Sequence, residues 1–322
     1  MGDLARVAIL GTRYADVSVE QRILGPRGVE VTRGDGADAD SIVRETEGAT
    51  VVLAGSRPRF DATVLERLTC RGIVRYGVGV ESIDLDAARR HGLWVAYVPD
   101  YGTDAVATHA VMLLLALLRR LTAADELVKA GKWGFGELRP LHAPSALTVG
   151  IVGFGRIGRR VAQLLAPFGF RLLAHDAYAD VSGDANVATA TLDELLGSSE
   201  AITLHAPGDA RGGALLGEAE LARMKPGAVL VNTARGSLVE EGALVDALRN
   251  GALAGAALDV FQDEPPSAAF ARVADRVILT PHMAWYTEES ELDLRTKAAN
   301  EALRIIEGDA PINVAARPNG AM

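Results

Sequence analysis

Three polar side chains stand just beyond short apolar runs in the second half of the chain: Arg235, Glu264 and His282. Arg235 lies in Asn232-Thr233-Ala234-Arg235-Gly236 after Ala228 to Val231, and Glu264 closes the stretch from Asp259 that follows Gly255 to Leu258. His282 follows Val277 to Leu279 and the pair Thr280-Pro281. Ligands of open α/β sheets bind at the carboxyl ends of strands, so three such tips can converge on one ligand. A guanidinium, a carboxylate and an imidazole are the groups needed to reduce an oxo acid reversibly. Arg235 would hold a carboxylate or polarise a carbonyl oxygen through charge-assisted hydrogen bonds. His282 would carry the proton. Glu264 would hydrogen-bond the imidazole, orient it and stabilise its protonated form. Taken singly, each has an ordinary alternative: a surface ion pair, a loop charge, a turn histidine. Of the six histidines, only His282 follows a Thr-Pro at a strand end with a carboxylate site upstream.

A second signal lies earlier. Thr148 to Val152 runs into Gly153-Phe154-Gly155-Arg156-Ile157-Gly158 and then into the helix-forming run Arg159 to Pro167. This is G-x-G-x-x-G in a strand, turn and helix context, the setting in which it binds a dinucleotide. Gly153 allows the tight turn, Gly155 lets the backbone approach a pyrophosphate, and Gly158 permits close packing of helix on strand. The helix N-terminus offers N–H groups and the positive end of its dipole to the phosphates. The next strand, Arg171 to His175, ends at Asp176, 18 residues after Gly158, where a carboxylate would accept hydrogen bonds from the ribose hydroxyls. Ala177 and Tyr178 follow, with no arginine to neutralise a 2′-phosphate, so the expected cofactor is NAD rather than NADP.

The elements that must position these residues follow from the wider pattern. Short β-rich runs alternate with helical patterns from Val7 to Thr280, and most are continuously apolar, as in parallel sheets covered on both faces. The class is α/β. The stretch from Asp104 to Ala130 lacks Gly and Pro and carries apolar residues on more than one face, which predicts one long buried helix, with a domain boundary after Pro99. The final helix should run from Glu288 to Glu307, with Leu292, Leu303 and Ile306 on its apolar face and Gly308 as its cap. Beyond Pro311 the chain should lie extended on the surface. A length of 322 residues suits two domains, and 49% hydrophobic with 23% charged residues suits a globular chain.

Composition also excludes partners. Thirty-three Lys and Arg against 42 Asp and Glu leave a net charge of −9, which repels a phosphate backbone and argues against nucleic acid. Cys70 is the only cysteine and reads as a small buried hydrophobe. It allows neither an intrachain disulfide nor a thiolate metal cluster, which fits a reducing, cytoplasmic setting with no metal. The most apolar stretch, Ala105 to Leu118, falls short of the ~20 residues that span a bilayer. Met1-Gly2-Asp3 leads into Val7 with no basic leader, so no membrane partner is expected.

Several long motifs in order give a resemblance: Arg75 to Asp84, the glycine turn, Leu204-His205-Ala206-Pro207, Met224 to Gly227, Asn232 to Val239, Gly255 to Pro265 and Pro281 to Ser290. Over roughly Cys70 to Gly308 the sequence resembles the D-isomer-specific 2-hydroxyacid dehydrogenases, most of all the branch that includes the C-terminal binding proteins. The resemblance implies two Rossmann-like or flavodoxin-like domains with parallel sheets, the cofactor domain inserted in the substrate domain. The substrate-binding domain would comprise residues 1–100 and 288–322, and the NAD-binding domain residues 101–287. Arg235, Glu264 and His282 match the family's catalytic trio, Thr233, Ala234 and Asp259 its contacts around the nicotinamide, and Ala206 and Pro207 its adenine and ribose wall. Gly153, Gly155, Arg156, Ile157, Gly158, Asp176 and Trp285 complete the expected cofactor contacts. Val78 and Gly79 match a loop whose amides bind the substrate carboxylate, flanked by Arg75 and Tyr76. Trp285 would pack against the substrate side chain beside Arg235 and His282. Departures occur at Thr108, where many members have Glu, at Glu81-Ser82, and in Leu138 to Ala146, which lacks the usual Gly.

The function so implied is NAD(H)-dependent interconversion of a 2-oxo acid and its (R)-2-hydroxy acid by a homodimer. Two alternatives are a dehydrogenase of a small anion such as phosphite and an NAD(H)-sensing, corepressor-like regulator. Gln stands at the Glu264 position in formate dehydrogenases of this type, which counts against formate.

Overall fold

The structure, a computed structural model, describes residues 4–318 apart from 182, 185 and 209–212. The expected start at Met1 to Asp3 lies outside the described residues. Two compact units form, one from residues 4–102 and 287–318, the other from residues 103–286.

In the first unit, strands β1 (Arg6–Leu10), β2 (Glu30–Gly34), β3 (Val51–Ala54), β4 (Gly72–Arg75) and β5 (Trp94–Tyr97) alternate with helices α1 (Ser18–Leu24), α2 (Ala39–Glu45), α3 (Ala62–Leu65) and α4 (Leu85–Arg90). The second unit opens with α5 (Thr103–Leu118) and α6 (Leu121–Lys129). Its strands are β6 (Thr148–Val152), β7 (Arg171–His175), β8 (Val187–Thr189), β9 (Ala201–Leu204), β10 (Ala228–Asn232), β11 (Leu253–Leu258) and β12 (Val277–Leu279). Helices α7 (Arg156–Leu165), α8 (Leu192–Ser198), α9 (Glu218–Arg223) and α10 (Glu241–Arg249) connect them, and the chain returns to the first unit through α11 (Glu288–Glu307) and β13 (Val314–Ala316).

Among the described residues the first unit holds one sheet of order β13-β5-β4-β3-β1-β2, parallel except for β13. The second holds a parallel sheet of order β12-β11-β10-β9-β6-β7-β8. The order reverses at β6, so the crevice between the tips of β6 and β9 is the topological switch point, where doubly wound sheets bind dinucleotides. Both faces of this sheet are covered. Val149, Ile151 and Leu172 pack with α5 and α7, while Leu204 and Leu230 pack with α8, α9 and α10 on the other side. The α/β class and the two mostly parallel sheets match the sequence reading.

Local details differ from that reading. The helix expected from Asp104 to Ala130 breaks at Arg120, whose φ of 46° is left-handed, and α5 and α6 diverge by 59°. The break falls where burial ends: α5 buries Val106, Ala107, Ala110, Val111, Leu113 and Leu114, and α6 buries nothing. Among the described residues no single helix is long and apolar enough to cross a membrane. Helix α11 has the expected limits and a Gly308 cap with φ of 90°; of the three residues expected on its apolar face Leu303 is buried, whereas Leu292 is half exposed, and Leu294, Ala298, Ala302 and Ile305 complete the buried face. Arg295 and Glu301 are buried on this helix as well. The tail expected to lie on the surface instead forms β13, which pairs Val314 with Ala96 and covers the edge of β5. Strands β2 and β8 sit at sheet edges, where burial is incomplete and the apolar signal in the sequence is short.

Candidate active site

The glycine turn leaves β6 at Val152. Gly153 has φ of 92° and donates its N–H to the His175 carbonyl at 2.8 Å. A Cβ on Gly153 would stand 2.4 Å from the Ala206 nitrogen, so only glycine lets the β6 and β9 tips meet. Gly155 is the N-cap of α7 and has no side-chain cap, while Arg156, Ile157 and Gly158 form the first turn. A Cβ on Gly155 would point into open space.

Asp176 follows β7. One carboxylate oxygen accepts from the Phe154 N–H at 2.6 Å and the other from the Tyr178 and Ala179 N–H groups at 2.8 Å each. Partial burial acts to push this carboxyl up, but the three N–H donors outweigh it and hold the group below the usual carboxylate range. Asp176 is thus a fixed anion tied to the turn, with lone-pair capacity left for a ribose hydroxyl. On the other side of the switch point, Ala206 is half-buried and Pro207 exposed.

The segment after β10 is shaped by Asn232, whose amide donates to the Arg235 carbonyl at 2.8 Å and accepts from the Ala234 N–H at 3.0 Å. Thr233 is buried, and its Oγ1 has no partner among the described residues. A buried orphan hydroxyl beside the strand tips is what a cofactor contact would leave in the protein alone. Arg235 is partly buried and donates from Nη1 to the Ala234 carbonyl at 2.8 Å. The next residue, Gly236, is pressed on the loop after β11, where a Cβ would lie 2.0 Å from the Phe261 carbonyl carbon. That contact seats the arginine segment three residues from Glu264.

Glu264 brackets His282. Its two oxygens lie 3.0 and 2.8 Å from Nδ1, and the imidazole stays half exposed. His282 has φ of 52°, a left-handed value uncommon outside glycine, which the structure holds by two bonds from its N–H to the Asp259 and Thr280 carbonyls at 2.9 and 3.0 Å. Trp285 donates from Nε1 to the His282 carbonyl at 3.1 Å and meets Tyr286 edge to face.

Asp259, expected near the nicotinamide, is held by the loop around His282. Its carboxylate is buried and accepts from Thr280 Oγ1 at 2.5 Å, Met283 N–H at 2.9 Å and Ala284 N–H at 2.8 Å. It fastens the backbone on either side of His282. Thr280 in turn lies 3.2 Å from His109 Nε2 on α5. Sequence reasoning missed this role of His109 and Thr280; the available signal was a lone imidazole within the apolar run Ala105 to Leu118. His205, also in a family motif, lies 2.9 Å by Nε2 from Thr203 Oγ1, and burial pushes its imidazole down to about 3, so it is neutral and no proton carrier near pH 7.

In the first unit, Arg75 ends β4 and donates to the Tyr76 carbonyl. Val78 is exposed and Gly79 half-buried on the loop that follows. Tyr76 departs from the expectation of a substrate contact: its side chain is turned into the core, where its hydroxyl donates to buried Glu20 at 2.9 Å.

The profile described as D-isomer specific 2-hydroxyacid dehydrogenase, NAD binding domain, matches residues 111–284, more than half of the chain. The chain belongs to this family. Its second unit is therefore an NAD-binding domain, and NAD is its cofactor. The family member is 34% identical over 285 residues to D-3-phosphoglycerate dehydrogenase of Archaeoglobus fulgidus, an alignment covering 87% of this chain and 54% of that protein. The chain thus spans about half the length of the D-3-phosphoglycerate dehydrogenases it matches. Against glyoxylate reductase of Thermococcus litoralis it is 34% identical over 281 residues, 84% of each. Among solved structures, D-lactate dehydrogenase from Aquifex aeolicus complexed with NAD and lactic acid superposes with a TM-score of 0.88 at 28% identity, over 97% of this chain and 99% of that one.

Proposed function

We propose that this dehydrogenase-family chain interconverts a 2-oxo acid and its (R)-2-hydroxy acid with NAD(H), His282 acting as the acid and base. The observation that supports this reading is the carboxylate of Glu264 bracketing Nδ1 of an imidazole held in a left-handed backbone. With Nδ1 committed to Glu264, Nε2 is the nitrogen that moves the proton, to the substrate oxygen in reduction and from it in oxidation. The adjacent carboxylate offsets the charge that the ring carries when protonated. Arg235 holds the substrate carboxylate or polarises its carbonyl by charge-assisted hydrogen bonds. Bound NAD accepts the hydride and NADH supplies it. Gly153, Gly155, Arg156, Ile157 and Gly158 would hold its phosphates, Asp176 its ribose, Ala206 and Pro207 its adenosine side, and Thr233 and Ala234 the nicotinamide end, with Asp259 acting through the loop it fastens and Trp285 lining the same end. Arg75, Val78 and Gly79 would contact the substrate carboxylate and tail.

The deciding experiment replaces His282 with Ala. Turnover of NADH with 2-oxo acids should fall by about 10²–10⁴-fold, with NADH binding little changed by fluorescence titration. Unaltered turnover removes His282 from the reaction. Binding of NADH without turnover of any 2-oxo acid, or of phosphite with NAD, would favour the regulatory alternative.

The same reading includes a homodimer. Leu121 and Val128 of α6 and Trp133 and Phe135 beyond it are exposed, Trp133 by 91%, and a second copy of this chain would cover them. Light scattering that gives a monomer at micromolar concentration would refute this.

A further inference from the structure

The first unit buries an ion pair that no step above uses. Glu20 on α1 is wholly buried and receives Arg295 of α11 through Nε at 2.9 Å and Nη2 at 2.7 Å. Arg295 Nη2 also donates to the Asp16 carbonyl at 2.9 Å, and its guanidinium lies 4.7 Å over the Tyr14 ring. The remaining donor to Glu20 is the Tyr76 hydroxyl at 2.9 Å, and the Tyr76 ring meets Tyr14 edge to face at 5.2 Å. Burial and the Glu20 charge push the Tyr76 phenol well above its ordinary range, so it stays a donor at any working pH.

Tyr76 is also the hinge of the loop read as the carboxylate-binding one. Its N–H reaches the Ala54 carbonyl at 2.9 Å and its carbonyl receives Arg75. Gly77 follows with φ of 126°, open to glycine alone, and accepts from the Val98 N–H at 3.0 Å. Filling the core at this point needs only a ring, which phenylalanine would supply without burying a hydroxyl. The hydroxyl adds direction: it fixes the ring, and with it the backbone from which Val78 and Gly79 project.

We infer that the Glu20–Arg295 ion pair, acting through the Tyr76 hydroxyl, is a positioning device for the substrate loop Gly77–Gly79. The inference rests on the reading of that loop as substrate-binding. Tyr76, Glu20 and Arg295 are positioning residues and touch no reacting atom.

The test is Tyr76→Phe in the full chain, which keeps the ring and removes the bond to a charged acceptor. With glyoxylate and pyruvate as probes, KM should rise about tenfold, the scale of losing one such bond, while kcat and the affinity for NADH hold. Hydrogen exchange at the Tyr76 and Val98 amides, which report the two tethers of the loop, should quicken. Unchanged exchange overturns the inference whatever turnover does, and quicker exchange with an unchanged KM overturns the link to substrate. A wild-type chain that reduces neither probe nor any other 2-oxo acid defeats the reading of the site instead, and the exchange experiment still decides whether the hydroxyl holds the loop.

Discussion

Each unit buries a carboxylate almost completely, Glu20 in the first and Asp259 in the second, and the two are satisfied by different kinds of donor. Asp259 is met mainly from its own neighbourhood, by two backbone N–H groups and a hydroxyl within 25 residues of it. Glu20 is met by a guanidinium 275 residues away and a phenol 56 residues away. A carboxylate answered by nearby backbone shapes one loop, here the loop that sets His282. One answered by distant side chains ties α1, the β4 tip and α11 together, and its loss is felt across the unit.

The contrast predicts where each change will be felt. Arg295→Ala leaves Glu20 buried without its charged partner and should cost about 3–5 kcal/mol of stability, read from urea unfolding midpoints. A loss under about 1 kcal/mol, as for an exposed pair, would show that the Glu20 pair holds nothing together.

Asp259→Asn should cost less in stability, about 1–3 kcal/mol, because the amide still offers one acceptor to the backbone. Its larger effect should be on kcat, since His282 hangs from the same loop and small misplacements cost up to about 10²-fold. Stopped-flow turnover at the wild-type level would refute the claim that Asp259 sets His282.

A third effect depends on pH and concerns His205, whose surface is partly exposed but whose Nδ1 is shielded and has no partner among the described residues. Its imidazole is lowered to about 3, so in acid the unfolded chain takes up a proton that the folded chain refuses. Its contribution is complete above the unfolded value near 6.5 and is lost as pH falls from there toward 3, by at most about 1.4 kcal/mol per pH unit. His205→Gln should flatten the fall in stability between pH 6.5 and 4. An unchanged slope would mean that this imidazole titrates normally.

Much of the cofactor region was legible because its signals are local. The glycine turn, the strand before it, the helix after it and the acidic residue at the next strand tip all lie within 29 residues, Thr148 to Asp176. The Glu264 and His282 pairing was legible as a proposal because both sit at tips of neighbouring parallel strands. The break at Arg120 was not, since residues 104–130 are helix-compatible throughout, and the difference between a buried α5 and an unburied α6 exists only in the fold. Nor was the inward turn of Tyr76: a tyrosine beside an arginine at a strand end reads as a ligand contact until the buried Glu20 beneath it is seen.

From spacing and residue type alone came the α/β class, the dinucleotide turn and the order in which arginine, carboxylate and histidine follow their strands, because each depends on a few consecutive residues. The partners of Asp259 and Glu20, the left-handed posture of His282 and the buried face of α11 were settled only in the folded chain. Those features depend on which polar groups lose water together, and burial is a property of the packed molecule that no short stretch of sequence carries.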